Sequence, residues 1–178
     1  TVCHGQAVSF TAASRIPTER MAEAIRSRLP EQLDVRRVIE VPDRFDVISD
    51  VTDKQYRYRV FNHTARPLLR RKSVYHCWFP LNPAAMEVAA QKLVGTHDFA
   101  CLANSNHGRD DTVRTVHACR VEHHPRDHEI HVVVSGSGFL YHMVRIIAGT
   151  LVEVGRRRFD ADHIDRILQE NDRQLAGP

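Results

Sequence analysis

The chain is poor in the residues that announce the commonest chemistries. Its four cysteines, Cys3, Cys77, Cys101 and Cys119, stand far apart, with no CxxC pair and no close histidine at ligand spacing. Neither a zinc site nor a disulfide framework is suggested, and the four read as reduced, buried thiols. No P-loop, dinucleotide fingerprint, HExxH or GxSxG occurs, which removes the usual support for phosphate cradles, zinc hydrolases and serine hydrolases. No run approaches the roughly 20 apolar residues of a membrane span, and no charged, apolar, small-residue leader opens the chain. It reads as a soluble, unexported, cytoplasmic protein. A formal charge of +3 is too small to indicate nucleic acid by itself.

What is present is an ordinary globular composition, 42% hydrophobic over 178 residues, enough for one domain, or one large and one partial domain. Twelve histidines raise the question of metal. However, His123 and His124 sit in "VEHHPRDHEIH", which reads as a polar turn between two strands, so no metal is expected. The cations are concentrated in two apparent loops, "RPLLRRK" (Arg66 to Lys72) and "GRRRF" (Gly155 to Phe159). Solvated loops carry such runs routinely, and a phosphate backbone would also want them.

Periodicity gives a sketch of the elements. Strands are expected at about Gln6 to Thr11 and in "LDVRRVIEV", ended by Pro42. Between them "TERMAEAIRSRLP" reads as a helix with Thr18 as N-cap and Met21, Ala24, Ile25 and Leu29 in one stripe. "QYRYRVF" alternates with period 2, placing Tyr56, Tyr58 and Val60 on one face and Gln55, Arg57 and Arg59 on the other. "NPAAMEVAAQKLVG" has Asn82 as N-cap, Pro83 at the first helical position and Gly95 past the end. "NSNHGRDD" reads as a polar loop, followed by two antiparallel strands, "TVRTVHACRVE" and "EIHVVVSGSG". A buried helix comes next, and then a short amphipathic helix in "DADHIDRILQEN", capped by Asp160, with Ile164, Ile167 and Leu168 inward. Unequal runs of strands and helices without regular βαβ alternation predict an α+β architecture.

The buried helix poses the sharpest question. From Phe139 to Val154 it is apolar on most of its circumference, so burial is expected. Yet His142, Arg145, Gly149 and Glu153 share one stripe, and Arg145 is its only permanent cation. A buried guanidinium costs several kcal/mol unless it meets an anion. Two readings stay open here: a functional partner for an anion, or a structural ion pair with a core carboxylate. Tyr56 and Tyr58 likewise fit half-buried packing as well as function.

Taken together, "SGSGFLYHMVRIIAGTLVEVG", "KQYRYRV", "KLVGTHDFACL", "TVRTV" and the terminal "DRQLAGP", in this order and spacing, resemble the tRNA pseudouridine synthase A family across nearly the whole chain. The resemblance implies an α+β pseudouridine synthase fold, a mixed, largely antiparallel sheet with flanking helices and a basic cleft, usually in a homodimer that holds tRNA across both subunits. It implies isomerisation of uridine to pseudouridine in the anticodon stem-loop, at tRNA positions 38, 39 and 40, with no metal or organic cofactor. Tyr56 matches the tyrosine that stacks on the flipped base, and Arg145 matches the arginine that pairs with a nucleophilic aspartate and holds it ionised. Base extrusion makes the reacting atoms reachable. Arg70, Arg71, Lys72, Arg156, Arg157 and Arg158 are the candidate RNA contacts.

The departures are specific. The family's nucleophile lies in an RTD-type motif ahead of a Gly-Gln pair. Here that pair is Gly5 and Gln6, which places the aspartate about three residues before Thr1; Asp110 and Asp111 do not match the motif. Residues 1–178 are therefore expected to be a partial catalytic region, lacking the RTD segment and a further C-terminal strand. Where the family commonly has Phe-His-Ala-Arg, this chain has Phe45, Asp46, Val47 and Ile48, and Ser137 replaces an Asn before the helix. An isomerase and a non-catalytic RNA-binding relative are both compatible with this pattern.

Overall fold

The computed structural model of the chain describes residues 3, 5–104 and 111–178. The expected polar loop at 104–111 therefore lies mostly outside the described residues. The chain divides into two compact units, Cys3–Val51 and a larger one that runs from Thr52 to Pro178.

In the smaller unit the only regular element among the described residues is α1, Thr18–Arg26. Glu19 in its first turn and Arg26 in its last complement the helix dipole, and Arg26 also bonds Asp34 and the Val35 carbonyl, each at 2.7 Å. Thr18 is not the N-cap. Pro17 holds that position without a side-chain bond, and the Thr18 hydroxyl is spent on the Glu40 carboxylate instead. The two strands expected here do not form. Residues 6–11 and 33–41 carry no ladder, because alternating apolar residues make a strand only where a neighbour takes up the backbone N–H and C=O groups.

The larger unit contains one mixed five-strand sheet. Its strands are β1 (Lys54–Asn62), β2 (Tyr75–Cys77), β3 (Gly95–Asp98), β4 (Val113–His124) and β5 (Glu129–Gly136), in the order β2-β1-β5-β4-β3. Only β1 and β2 run parallel; the other pairs are antiparallel. The helices α2 (Pro83–Gln91), α3 (Met143–Gly155) and α4 (His163–Glu170) complete it, as the α+β reading requires. The register places Tyr56 opposite Val134, Tyr58 opposite Val132 and Val60 opposite Ile130. These three valines and Ile130 are fully buried, so this parity faces the core, where Met86, Ala89 and Ala90 of α2 and Ile147, Leu151 and Val154 of α3 pack. Burying a side chain such as Leu151 contributes about 2 kcal/mol. Along β1 burial fades from Val60 to Tyr56, which brings one end of the core face to the surface.

Local signals account for the helix ends. The Asn82 carboxamide accepts from the N–H groups of Ala84 and Ala85 at 3.1 and 3.2 Å, and Pro83 loses no hydrogen bond at the first position. The Asp160 carboxylate accepts from His163 N–H at 2.8 Å, so it supports the start of α4, although the N-cap position itself belongs to Asp162, without a side-chain bond. Gly155 lets α2 and α3 touch, since a Cβ there would lie 2.7 Å from the Met86 sulfur.

Candidate functional site

The exposed end of the core face is built by β1, the first turn of α3 and the link between β5 and α3. Tyr56 is 44% exposed, and Phe139 meets its ring edge-on, centroids 5.3 Å apart and planes at 89°. Such a pair holds the phenol ring in one orientation and leaves a face free for another planar group. Two residues on, Tyr58 is half-buried beside Tyr75, at 6.3 Å. The link enters α3 through His142, which adopts a left-handed conformation with φ 61° and stacks on Tyr141 at 3.9 Å. The His142 carbonyl then accepts from Arg145 N–H at 2.9 Å and from Ile146 N–H at 3.0 Å, starting the helix.

Arg145 is not the buried charge that the apolar circumference predicts. It is exposed, because it lies on the side of the first turn of α3 that exposed His142 also occupies, whereas Met143, Ile146 and Ile147 in the same stretch turn into the core. Its side chain has neither hydrogen bond nor ion pair among the described residues, and no core carboxylate meets it. Its charge nonetheless reaches Tyr58. Burial pushes that phenol above its ordinary pKa, and the Arg145 guanidinium partly opposes the shift. The positive end of α3 adds to the guanidinium, so this corner suits an anion next to a planar group.

The Arg70 to Lys72 cluster divides. Arg70 is committed to the fold: it bonds the Glu129 carboxylate at 2.5 Å and lies over the Phe61 ring. Arg71 donates only to the Leu68 carbonyl, at 3.3 Å, and Lys72 is exposed. The triple arginine divides in the same way. Arg156 and Arg158 hold the buried Glu153 at 2.9 and 3.1 Å, and Arg156 also covers Phe79. Arg157 is exposed with φ 62° and no side-chain partner among the described residues. The cations left for a partner are thus Arg71, Lys72 and Arg157, a partition that sequence runs cannot express.

The three buried thiols are poor nucleophiles. Burial pushes Cys101 to about 11 and Cys119 to about 12, and Cys77 also upward, so the protonated form dominates near neutrality. Cys3, expected to be buried, is exposed. In the smaller unit, Asp46, where the family commonly has histidine, closes its own turn. Its carboxylate accepts from Ile48 N–H at 2.9 Å and from the Ser49 hydroxyl at 2.8 Å, and these bonds hold it below the ordinary carboxylate range.

A mixed five-strand sheet backed by helices is the architecture of a pseudouridine synthase domain. The family model described as tRNA pseudouridine synthase matches residues 89–178. Proteins named tRNA pseudouridine synthase A are similar over nearly the whole chain. The Brevibacillus brevis protein is 39% identical over 173 residues, 97% of this chain and 70% of the relative. The Anoxybacillus flavithermus protein is 38% identical over 174 residues, 98% and 70%. The Halalkalibacterium halodurans protein is 36% identical over 173 residues, 97% and 65%. The chain belongs to the tRNA pseudouridine synthase family, a family of isomerases. No helix among the described residues is long and apolar enough to cross a membrane.

Proposed function

We propose that this protein isomerises uridine to pseudouridine in the anticodon stem-loop of tRNA, at positions 38, 39 and 40, as a cytoplasmic homodimer. The observation that carries the reading is a half-exposed, edge-clamped Tyr56 on the strand whose Tyr58, two residues on, feels the charge of an exposed Arg145 that has no side-chain partner among the described residues. Tyr56 offers its free face to an extruded uracil, and stacking of this kind is worth about 1–3 kcal/mol per base. Arg145 pairs with the nucleophilic aspartate, which the family's motif puts about three residues ahead of Thr1, and favours its ionised form.

The chemistry balances without a co-reactant. The bond from ribose C1′ to uracil N1 breaks, and the base turns within the site. C1′ then bonds to C5, C5 gives up its proton and N1 gains one. In this reading Tyr56 takes part in that transfer. Nothing is oxidised or reduced, so the reaction calls for no redox cofactor. Arg71, Lys72 and Arg157, aided by Arg70, Arg156 and Arg158 where their ion pairs leave N–H groups free, contact the phosphate backbone.

The test is to incubate the full-length protein with unmodified tRNA and map pseudouridine in the anticodon arm, with Tyr56→Phe in parallel. Conversion at these positions by the wild type supports the proposal. Binding without conversion would replace it by a non-catalytic RNA-binding role.

A further inference from the structure

On the sheet face opposite Tyr56, three potential ligands come together. Glu122 and His124 lie two apart on β4, and His131 of β5 is the cross-strand partner of Glu122. Residues two apart on a strand and directly opposite on its neighbour share a face, so the hairpin places all three side chains on one patch. The His124 Nε2 atom is 3.5 Å from Glu122 Oε2, His131 Nδ1 is 3.9 Å from the same oxygen, and all three donor atoms lie within 4.8 Å of one another. Donor atoms around a tetrahedral zinc, at about 2.0–2.1 Å from the ion, stand roughly 3.3 Å apart, so small rotamer adjustments close the set.

Two independent features point to a ligand. First, His124 Nε2 and His131 Nδ1 are shut off from solvent and have no hydrogen-bond partner. Buried polar atoms in that state are rare and need a reason. Second, the other nitrogen of His131, Nε2, donates to Glu129 Oε2 at 2.7 Å, which directs the Nδ1 lone pair toward Glu122 and His124. A carboxylate behind a ligating histidine is the usual support of a metal site. Glu129 is itself locked by Arg59, at 2.8 and 2.9 Å, and by Arg70, and its side chain is 2% exposed while that of His131 is 12% exposed.

We propose that Glu122, His124 and His131 bind a zinc ion that fastens the β4–β5 hairpin, with water as the fourth ligand. Two imidazoles and a carboxylate suit zinc among the common divalent ions. The alternating faces of the sheet keep this ion on the side away from Tyr56, so its work is structural.

The proposal is tested on the untagged full-length chain, stripped with a chelator, dialysed against zinc and analysed for bound metal by mass spectrometry. One zinc per chain is expected, with affinity, measured by competition with a chromogenic chelator, falling at least tenfold in both His124→Ala and Glu122→Gln. Cobalt(II) in place of zinc should show the visible bands of a four-coordinate site in the wild type and not in His124→Ala. His97→Ala, outside the group, should bind as the wild type does. Far-UV circular dichroism identifies a variant that has lost its fold, in which case Glu122→Gln decides. A wild type that holds no more zinc than His124→Ala, or folded variants of both residues that keep wild-type affinity, would overturn the site.

Discussion

The two ends of α3 treat charge in opposite ways. At its C-terminal end Glu153 is 7% exposed and receives both Arg156 and Arg158, so a buried charge is fully matched within the fold. At its N-terminal end Arg145 stands exposed and unpaired among the described residues, beside two tyrosines that the sheet brings to the same corner. A charge that the fold pairs is explained by the fold. One left without a partner in the fold is open to a ligand, which is the role proposed above for Arg145.

That contrast breaks first at Arg145. In the full-length protein Arg145→Ala should lower the rate of pseudouridine formation about a hundredfold or more, roughly 2.7 kcal/mol of barrier, while urea unfolding shifts by less than about 0.5 kcal/mol. Unchanged turnover would remove its role. Glu153→Gln should do the reverse, costing about 2 kcal/mol in urea unfolding by leaving two guanidinium groups without their carboxylate, with turnover per folded molecule unaffected. Comparable losses of activity in both variants would erase the distinction.

A finer division separates the arginines just beyond that C-terminal end. Arg157→Asn, which keeps a residue able to hold a positive φ, should reduce the salt dependence of tRNA binding by about one unit of slope. Arg156→Gln should act mainly on stability. Equal slopes in the two variants would return Arg157 to the solvated surface. The smallest effect concerns Tyr58. Its phenol already titrates above the ordinary value because it is partly buried, and the Arg145 cation favours the tyrosinate. Removing that cation should move the titration to still higher pH, read by ultraviolet absorbance. No movement would place Arg145 too far away to act on the tyrosines.

The sketch from periodicity succeeded where a local signal and its tertiary partner agree. Asn82 and Pro83 cap α2 as written, and β5 lies where its alternation puts it, whereas β4 runs on through His123 and His124, which polar composition assigns to the turn but which pair with Ile130 and Glu129 of β5. It failed at residues 6–11 and 33–41, whose alternation is real but whose ladder is not formed, because pairing is a property of two segments. It also erred on Arg145. Counting apolar residues around a helix reports how much of the circumference is buried, and the polar side of the first turn, His142 and Arg145, stays at the surface while Met143 and Ile146 beside them are buried. The Glu122, His124 and His131 group escaped a search by spacing since one of its members comes from across the sheet.

By itself the sequence determined the α+β class, the parity that puts Tyr56, Tyr58 and Val60 on one face, the cap of α2, and membership of a family of RNA-modifying isomerases. These follow from nearest-neighbour chemistry and from motifs in a fixed order. Only the tertiary structure decided which cations are spent within the fold and which remain free, that Arg145 emerges within reach of Tyr58, and that two histidines and a glutamate face one another across a hairpin. Ion pairing, burial and ligand geometry depend on distances between residues far apart in the chain, and those distances exist only once the sheet has set its register.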